Sequence, residues 1–189
     1  IMDKIMENKL IKLALLNLPG WGTVSVHKLL AENTLECLLD HDAILHSITY
    51  LASKQKRIKV PELIDIKIAF EEANNIIKKC LDIGINIISE EDYCYPKRLL
   101  SNRALKPLIL YTKGNVDILN DDKVIALIGS RKPNDWVYQS MTRIGYRCAE
   151  KRITVLSGLA LGCDTAAHEG CIEAKGTAIG VLGNGLDTI

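Results

Sequence analysis

The sequence predicts an α/β protein: a small all-helical domain over residues 1–82, followed by a doubly wound parallel sheet over residues 83–189. Three observations predict it. Apolar residues recur at helical spacing through the first eighty or so positions. After residue 83 the period shortens into brief apolar runs, each ending in glycine. Those runs then alternate with helical stretches, strand–helix–strand–helix–strand, the pattern of a parallel sheet with crossover helices.

Each element has its own justification. "MDKIMENKLIKLALLNLPG" places Ile5, Leu10, Leu13 and Leu16 near one helical face and stops at Pro19-Gly20. "TVSVHKLLAEN" and "TLECLLDHDAILHSITYLA" continue as short helices. "PELIDIKIAFEEANNIIKKCLDIG" opens with Pro61 in a favoured first-turn position and closes on Lys78, Lys79 and Gly84. "INIIS" and "PLILY" are short strands. "KVIALIGS" is a near-continuous apolar run, as expected of a strand covered on both faces. "WVYQSMTRIGYRCAEK" is a helix, "ITVLSG" a strand, "DTAAHEGCIEAKG" a helix and "AIGVLGNG" a strand. Segments 124–128, 153–157 and 178–182 are expected as neighbouring parallel strands, because right-handed crossovers permit little else.

Composition narrows the function. The chain has 189 residues, 48% of them hydrophobic, and a formal net charge of +1. It carries neither a strongly basic tail nor an acidic solvating segment. No apolar run approaches the ~18 residues of a membrane span, and Met2–Met6 is too polar to open a signal peptide. The cysteines at 37, 80, 94, 148, 163 and 171 form no CxxC, which fits reduced thiols in a cytoplasmic protein. Charge is unevenly spread. Residues 1–91 hold 11 Lys/Arg against 13 Asp/Glu, residues 92–153 hold 12 against 6, and residues 154–189 hold 1 against 4. An anionic ligand is expected to meet the basic middle.

The chemistry concentrates where the three strands end. Gly129-Ser130-Arg131, Ser157-Gly158 and Gly183-Asn184-Gly185 each close a strand, so all three loops are expected on one edge of the sheet, the edge where open parallel sheets bind ligands. Glycines admit close backbone approach, helix N-termini offer unpaired N–H groups to an anion, and Arg131 adds a charged fork suited to phosphate. Small residues also occur at strand ends simply because the chain must turn. No GxGxxG follows Gly129 and no GxxxxGK[ST] occurs, so ordinary dinucleotide and ATP sites are unsupported.

Other residues admit two readings. Asp164 and His168 are four apart and share a helix face; they form a catalytic pair, or Asp164 caps the helix while His168 packs beneath the loop. Cys163, His168 and Cys171 lack the spacing and fourth ligand of a zinc site, which favours buried thiols and no metal. "LPGWGTVSVHKLL" offers either a phosphate-binding turn with Lys28 nearby or a plain turn between structural helices. Tyr93, Tyr95 and Tyr111 either stack on bases or pack in the core. Trp136 is expected to cover the sheet.

"VIALIGSRKP", "VLSGLALGCDTAAHEG" and "GTAIGVLGNGLD", in this order, resemble the DNA-processing protein A family (DprA/Smf). Upstream, "EDYCYPKRLL" with Tyr95-Pro96 and "PLILYTKGN" resemble that family's lead-in. "LALLNLPGWGTVSVHKLL" resembles the SAM-like, helix-hairpin-helix-like domain that precedes it. The resemblance implies a Rossmann-like sheet and a non-enzymatic recombination mediator that binds single-stranded DNA and loads the RecA recombinase onto it during natural transformation. It implies no cofactor and admits a homodimer. Its DNA-binding positions fall here on Gly129, Ser130, Arg131, Ser157, Gly158, Leu159, Ala160, Gly162, Asp164 and His168, with Lys175 at a position basic in part of the family. Two residues depart from the family pattern: Leu161 stands where it has arginine, and Cys163 where it has isoleucine. The chain stops at Ile189, where family members continue through a second half of the sheet. A fragment or truncated paralogue is therefore expected, with an exposed strand edge and apolar surface. The competing reading is a Rossmann-like hydrolase releasing a base from a nucleoside monophosphate, which calls for a Pro-Gly-Gly-rich loop and a nearby glutamate that this sequence does not show.

Overall fold

The computed structural model describes residues 2–101 and 106–188, and divides them into two compact units, Ile1–Gly114 and Asn115–Ile189. The change of period near residue 83 marks a change of element type. Packing divides the chain some thirty residues later.

The first unit is built on α1 (Met2–Asn17), with α2 (Thr23–Glu32), α3 (His41–Lys54) and α4 (Leu63–Asp82) around it. The run "LIKLALLNL" is apolar on nearly every side, and α1 is accordingly a central helix. Ile11, Leu13, Ala14, Leu15 and Leu18 are all buried, against Val26 and Leu29 of α2, Ile44, Ile48 and Leu51 of α3, and Ile66, Ala69 and Ala73 of α4. Strands β1 (Asn86–Ile88) and β2 (Leu110–Thr112) pair antiparallel, with Asn86 opposite Thr112, and Leu108 enters the same core.

A buried ion network ties the segment after β1 to α1. Lys12 is 1% exposed, and its ammonium lies 2.6 and 2.7 Å from the two oxygens of Glu91. Lys9 reaches Asp92 at 3.0 Å, Asp92 accepts the Ser89 N–H at 2.7 Å, and Lys106 donates to Glu90. Three consecutive acids thus hold three lysines. Burial alone would push the Glu91 carboxyl up, but the Lys12 hydrogen bond, the Ser89 hydroxyl and the Lys12 charge outweigh it and hold Glu91 below its ordinary value. Tyr95, the family's tyrosine, is buried and donates its hydroxyl to the Pro107 carbonyl at 2.6 Å. Its role is structural.

In the second unit, β3 (Val124–Ala126), β4 (Thr154–Ser157) and β5 (Ala178–Gly180) form a parallel sheet in the order β3-β4-β5. Val124 is opposite Thr154, and Val155 opposite Ala178. The three expected strands are therefore neighbours. Helices α5 (Asp135–Glu150) and α6 (Cys163–Glu173) make the crossovers. Two right-handed crossovers that advance the same way across a sheet leave both helices on one face. Cys148 and Ala149 of α5 and Ala167 and Cys171 of α6 accordingly gather around Val155. This is one winding of the expected double winding. β3 is an edge strand of the described sheet, and Ile125 and Ile128 are 38% and 73% exposed. The expectation that this run is covered on both faces is corrected: within this unit, α5 and α6 cover a single face.

The two helices approach through glycine. A Cβ on Gly145 would lie 2.1 Å from the Ala167 carbonyl oxygen, and one on Gly170 would lie 1.9 Å from the Thr142 carbonyl oxygen. Backbone atoms cannot step aside as a side-chain tip can, so only a residue without Cβ fits at these positions.

Gly170→Ala is expected to destabilise the second unit by about 3 kcal/mol through overpacking against backbone, measured by urea unfolding, with hydrogen exchange quickening in α5 and α6. Lys12→Ala is expected to destabilise the first unit by about 2–3 kcal/mol, toward the low side because the Glu91 side chain keeps 27% of its surface exposed. Glu91 is depressed in the folded state, so its contribution is present above its unfolded pKa and is lost as pH falls through the lower folded value. Acid titration of stability in the wild type and in Lys12→Ala checks both the loss and its sign.

Candidate nucleic-acid interface

The loops that follow β3, β4 and β5 open on one edge of the sheet. Gly129 begins the first, Gly158 the second, and Gly183-Asn184-Gly185 belongs to the third. Ladder bonds continue just past the assigned strands, Leu127 N–H to the Leu156 carbonyl at 2.9 Å and Val181 N–H to the Ser157 carbonyl at 2.8 Å, which keeps the three exits level. Ser157 is buried and donates its hydroxyl to the Leu127 carbonyl.

Asp164 joins the first two loops. It is buried in the first turn of α6, and its two oxygens accept the Gly129 N–H at 3.3 Å and the Gly158 N–H at 3.1 Å. It does not cap its own helix. Gly162 occupies the cap position at φ +91°, and a Cβ there would lie 2.4 Å from the Ser130 carbonyl oxygen. The expectation of a helix-capping aspartate is corrected. The donors it satisfies lie on the ends of two strands rather than on α6.

The helix N-termini are also less open than expected. In α6, the Cys163 N–H donates to the Ser130 carbonyl at 3.0 Å and the Thr165 N–H to the Ala160 carbonyl at 3.1 Å. In α5, the Asn134 side chain accepts the Val137 N–H at 2.9 Å. On the two loops that follow β3 and β4, the backbone N–H groups of Ser130, Arg131, Leu159, Ala160, Leu161 and Gly162 have no acceptor among the described residues, and the side chains of Arg131 and Lys132 have no partner there. Arg131 and Lys132 are exposed and pair with no acidic group among the described residues. Leu159 holds a left-handed φ of +55°, as a leucine seldom does. Its side chain lies over Gly180, and Leu161 is 79% exposed.

The structure therefore brings together Gly129, Ser130, Arg131, Ser157, Gly158, Leu159, Ala160, Gly162 and Asp164. It does not bring Lys175 to them. Lys175 follows the C-terminus of α6, whose 11 residues span about 16 Å, and so stands toward the opposite end of the sheet. His168 lies one turn along α6 from Asp164, is 5% exposed, and its Nε2 has no hydrogen-bond partner. Burial lowers its pKa, opposed by a backbone hydrogen bond at Ile179 and the Asp164 charge.

Sequence reasoning misplaced one side chain on this edge. Trp136, expected to cover the sheet, is 75% exposed in the first turn of α5. No group of three or more metal-binding side chains occurs among the described residues, and no described helix is long and apolar enough to cross a membrane. Cys163 and Cys171 are buried free thiols. A surface groove of about 390 Å³ runs between α5 and α6, where Tyr138 donates to Glu169 at 2.6 Å. There the Thr142 hydroxyl also donates to the Tyr138 carbonyl at 3.1 Å.

Fold and edge together define a Rossmann-like sheet whose glycine-bearing strand ends carry an exposed arginine. The chain belongs to the family described as DNA recombination-mediator protein A, whose sequence profile matches residues 86–189. It is 40% identical over 96 residues to the DNA processing protein DprA of Streptococcus pneumoniae, a stretch covering 51% of this chain and 33% of that protein. It is 33% identical over 106 residues to DprA of Bacillus subtilis (56% and 35%), and 33% identical over 105 residues to the protein Smf of Escherichia coli (55% and 27%). The X-ray structure of DprA from S. pneumoniae superposes on 95% of this chain and 58% of its own with a TM-score of 0.66 at 26% identity, so the helical portion is matched too. The matched stretch is about a third of the length of the curated relatives.

The His168 environment generates a pH prediction. A depressed folded pKa means that the unfolded chain binds more protons between that value and about 6.5. Stability is therefore expected to fall as pH drops below about 6.5 and to level off beneath the folded pKa. His168→Gln should flatten that slope, read from urea midpoints across the pH range.

Proposed function

We propose that this chain binds single-stranded DNA along the carboxyl edge of its parallel sheet and acts as a recombination mediator that delivers the strand to a RecA recombinase, in DNA processing and natural transformation. The observation that carries the reading is the Arg131 edge: a guanidinium and an ammonium without internal partners, beside six backbone N–H groups without acceptors, on two adjoining loops. Such a set holds a phosphate without reading sequence. Gly129, Ser130, Ser157, Gly158, Leu159, Ala160 and Gly162 shape or supply it, Asp164 fixes it, and His168 supports it from beneath. Lys175, at the far end of α6, has no part in it.

The names of the relatives support the setting, DNA processing, and the family description supports the mediator role. No catalytic step is proposed. Cytoplasmic residence accords with six free cysteines. Homodimer formation belongs to the same proposal.

Fluorescence anisotropy with labelled strands at several salt concentrations tests the reading. Single strands should bind more tightly than duplex, with little dependence on base sequence. At about −0.7 per phosphate neutralised, Arg131 and Lys132 together predict a logarithmic salt slope of about −1.4, falling to about −0.7 in Arg131→Ala. That variant should lose about 1–3 kcal/mol of binding with its melting unchanged, and Arg131→Lys should recover part of it, because a point charge lacks the fork. Equal affinity for duplex and single strand, or indifference to salt, would defeat the proposal. Release of a free base from a nucleoside monophosphate would favour a hydrolase instead.

A further inference from the structure

We propose that Trp136 is a nucleobase-stacking residue of this edge: while Arg131 and Lys132 hold the backbone, the indole takes the flat face of a neighbouring base. This rests on the single-strand reading above and adds to it a contact with the bases themselves.

An indole is a large apolar surface, and Trp is among the more buried residues on average. Trp136 nevertheless leaves 75% of its surface in solvent, whereas the chain's other tryptophan, Trp21, is 9% exposed and donates its ring N–H to the Lys59 carbonyl at 2.9 Å. The fold uses Trp21. It does not use Trp136, since α5 packs through Met141, Gly145, Cys148 and Ala149.

Its position points to a ligand. Trp136 is the second residue of α5, and Cα–Cβ bonds in a helix lean toward the N-terminus. The indole is therefore carried over the turn that contains Arg131 and Lys132. The Asn134 side chain bonds the Val137 N–H at 2.9 Å and fixes that first turn, so the ring stands on a rigid base. Gly162 abuts the backbone of Ser130 and Arg131, and Leu161, the residue before it, is 79% exposed. Two exposed cations on the loop that leads into an exposed indole match an alternating ligand, charged at each phosphate and flat and apolar at each base. Duplex DNA keeps its base faces stacked inside. A single strand offers them.

The test uses the full chain with an oligothymidylate and with an abasic strand of the same length. Trp136→Ala should weaken oligothymidylate binding about tenfold, within the range that base–aromatic stacking supports. Its melting and salt slope should match those of the wild type, because the charges are untouched. Trp136→Tyr should retain most of the affinity. On the abasic strand, wild type and Trp136→Ala should bind alike. Tryptophan emission should be quenched by oligothymidylate in the wild type and not in Trp136→Phe, where only Trp21 emits. An unchanged affinity in Trp136→Ala, an equal loss on both strands, or a change of oligomeric state in place of a binding loss would each overturn the inference while leaving the single-strand reading intact. A wild-type chain that binds neither strand would overturn both.

Discussion

Asp164 accepts the amide hydrogens of Gly129 and Gly158 from a buried position in the first turn of α6, and the geometry of the whole carboxyl edge depends on that pair of bonds. A carboxylate is costly to bury alone. Here two N–H donors and the positive end of a helix offset the cost. Because the two donors belong to the ends of different strands, the bonds also set where α6 begins relative to β3 and β4. The rest follows from that anchoring. The Cys163 N–H meets the Ser130 carbonyl, Gly162 is pressed against Ser130 and Arg131, and α6 lies close enough to α5 that only glycine fits at 145 and 170.

The same bonds decide what the edge can offer a ligand. The amides of Gly129 and Gly158 serve the fold, as do those of Cys163 and Thr165, so the donors that a helix N-terminus ordinarily turns to an anion are partly taken. The donors left without acceptors on these loops belong to Ser130, Arg131 and Leu159–Gly162, where recognition is proposed. Raw charge counts mislead in the same way. The basic middle of the sequence includes Lys106, which belongs to Glu90, and Arg147, which pairs with Glu150 at 2.8 Å. On the carboxyl edge, Arg131 and Lys132 are exposed and have no ion-pair partner among the described residues. On the proposed function, an edge with so few cations gains affinity from contacts other than phosphate pairing, which is where exposed apolar side chains beside it would act.

Much of this was legible in the sequence, and the reasons differ residue by residue. Apolar runs closed by glycine announced three parallel strands in chain order, because β-strand length and crossover handedness leave few arrangements. Pro61 and Gly84 bracketed α4 because their backbone preferences are local. The partner of Asp164 was not legible. A carboxylate near a helix start caps that helix in most contexts, and here the competing donors are the ends of two strands, Gly158 and, thirty-five residues away, Gly129. The burial of Lys12 was hidden for the same reason, since its partners at 90 and 91 lie far along the chain. Trp136 was misjudged because composition favours burying tryptophan, while the face of α5 that packs is set by Gly145 and its contact with Ala167. Lys175 carries the right charge for a phosphate ligand, and the length of α6 separates it from the edge.

The two departures from the family pattern have different physical meanings. Cys163 is 2% exposed, and its side chain lies where a Cβ on Gly129 would come within 2.7 Å of it. A change there is constrained by the packing beneath the first loop, and a compact, weakly polar thiol fits the closed space. Leu161 is 79% exposed and precedes Gly162, which abuts the backbone of Ser130 and Arg131. Packing does not select the residue at 161, so the exchange of a cation for leucine leaves the fold untouched and acts only on what the edge meets. It leaves an exposed apolar side chain where the resembled pattern has a cation. On the proposed function, that change, away from charge and toward the faces of bases, favours a single strand over a duplex.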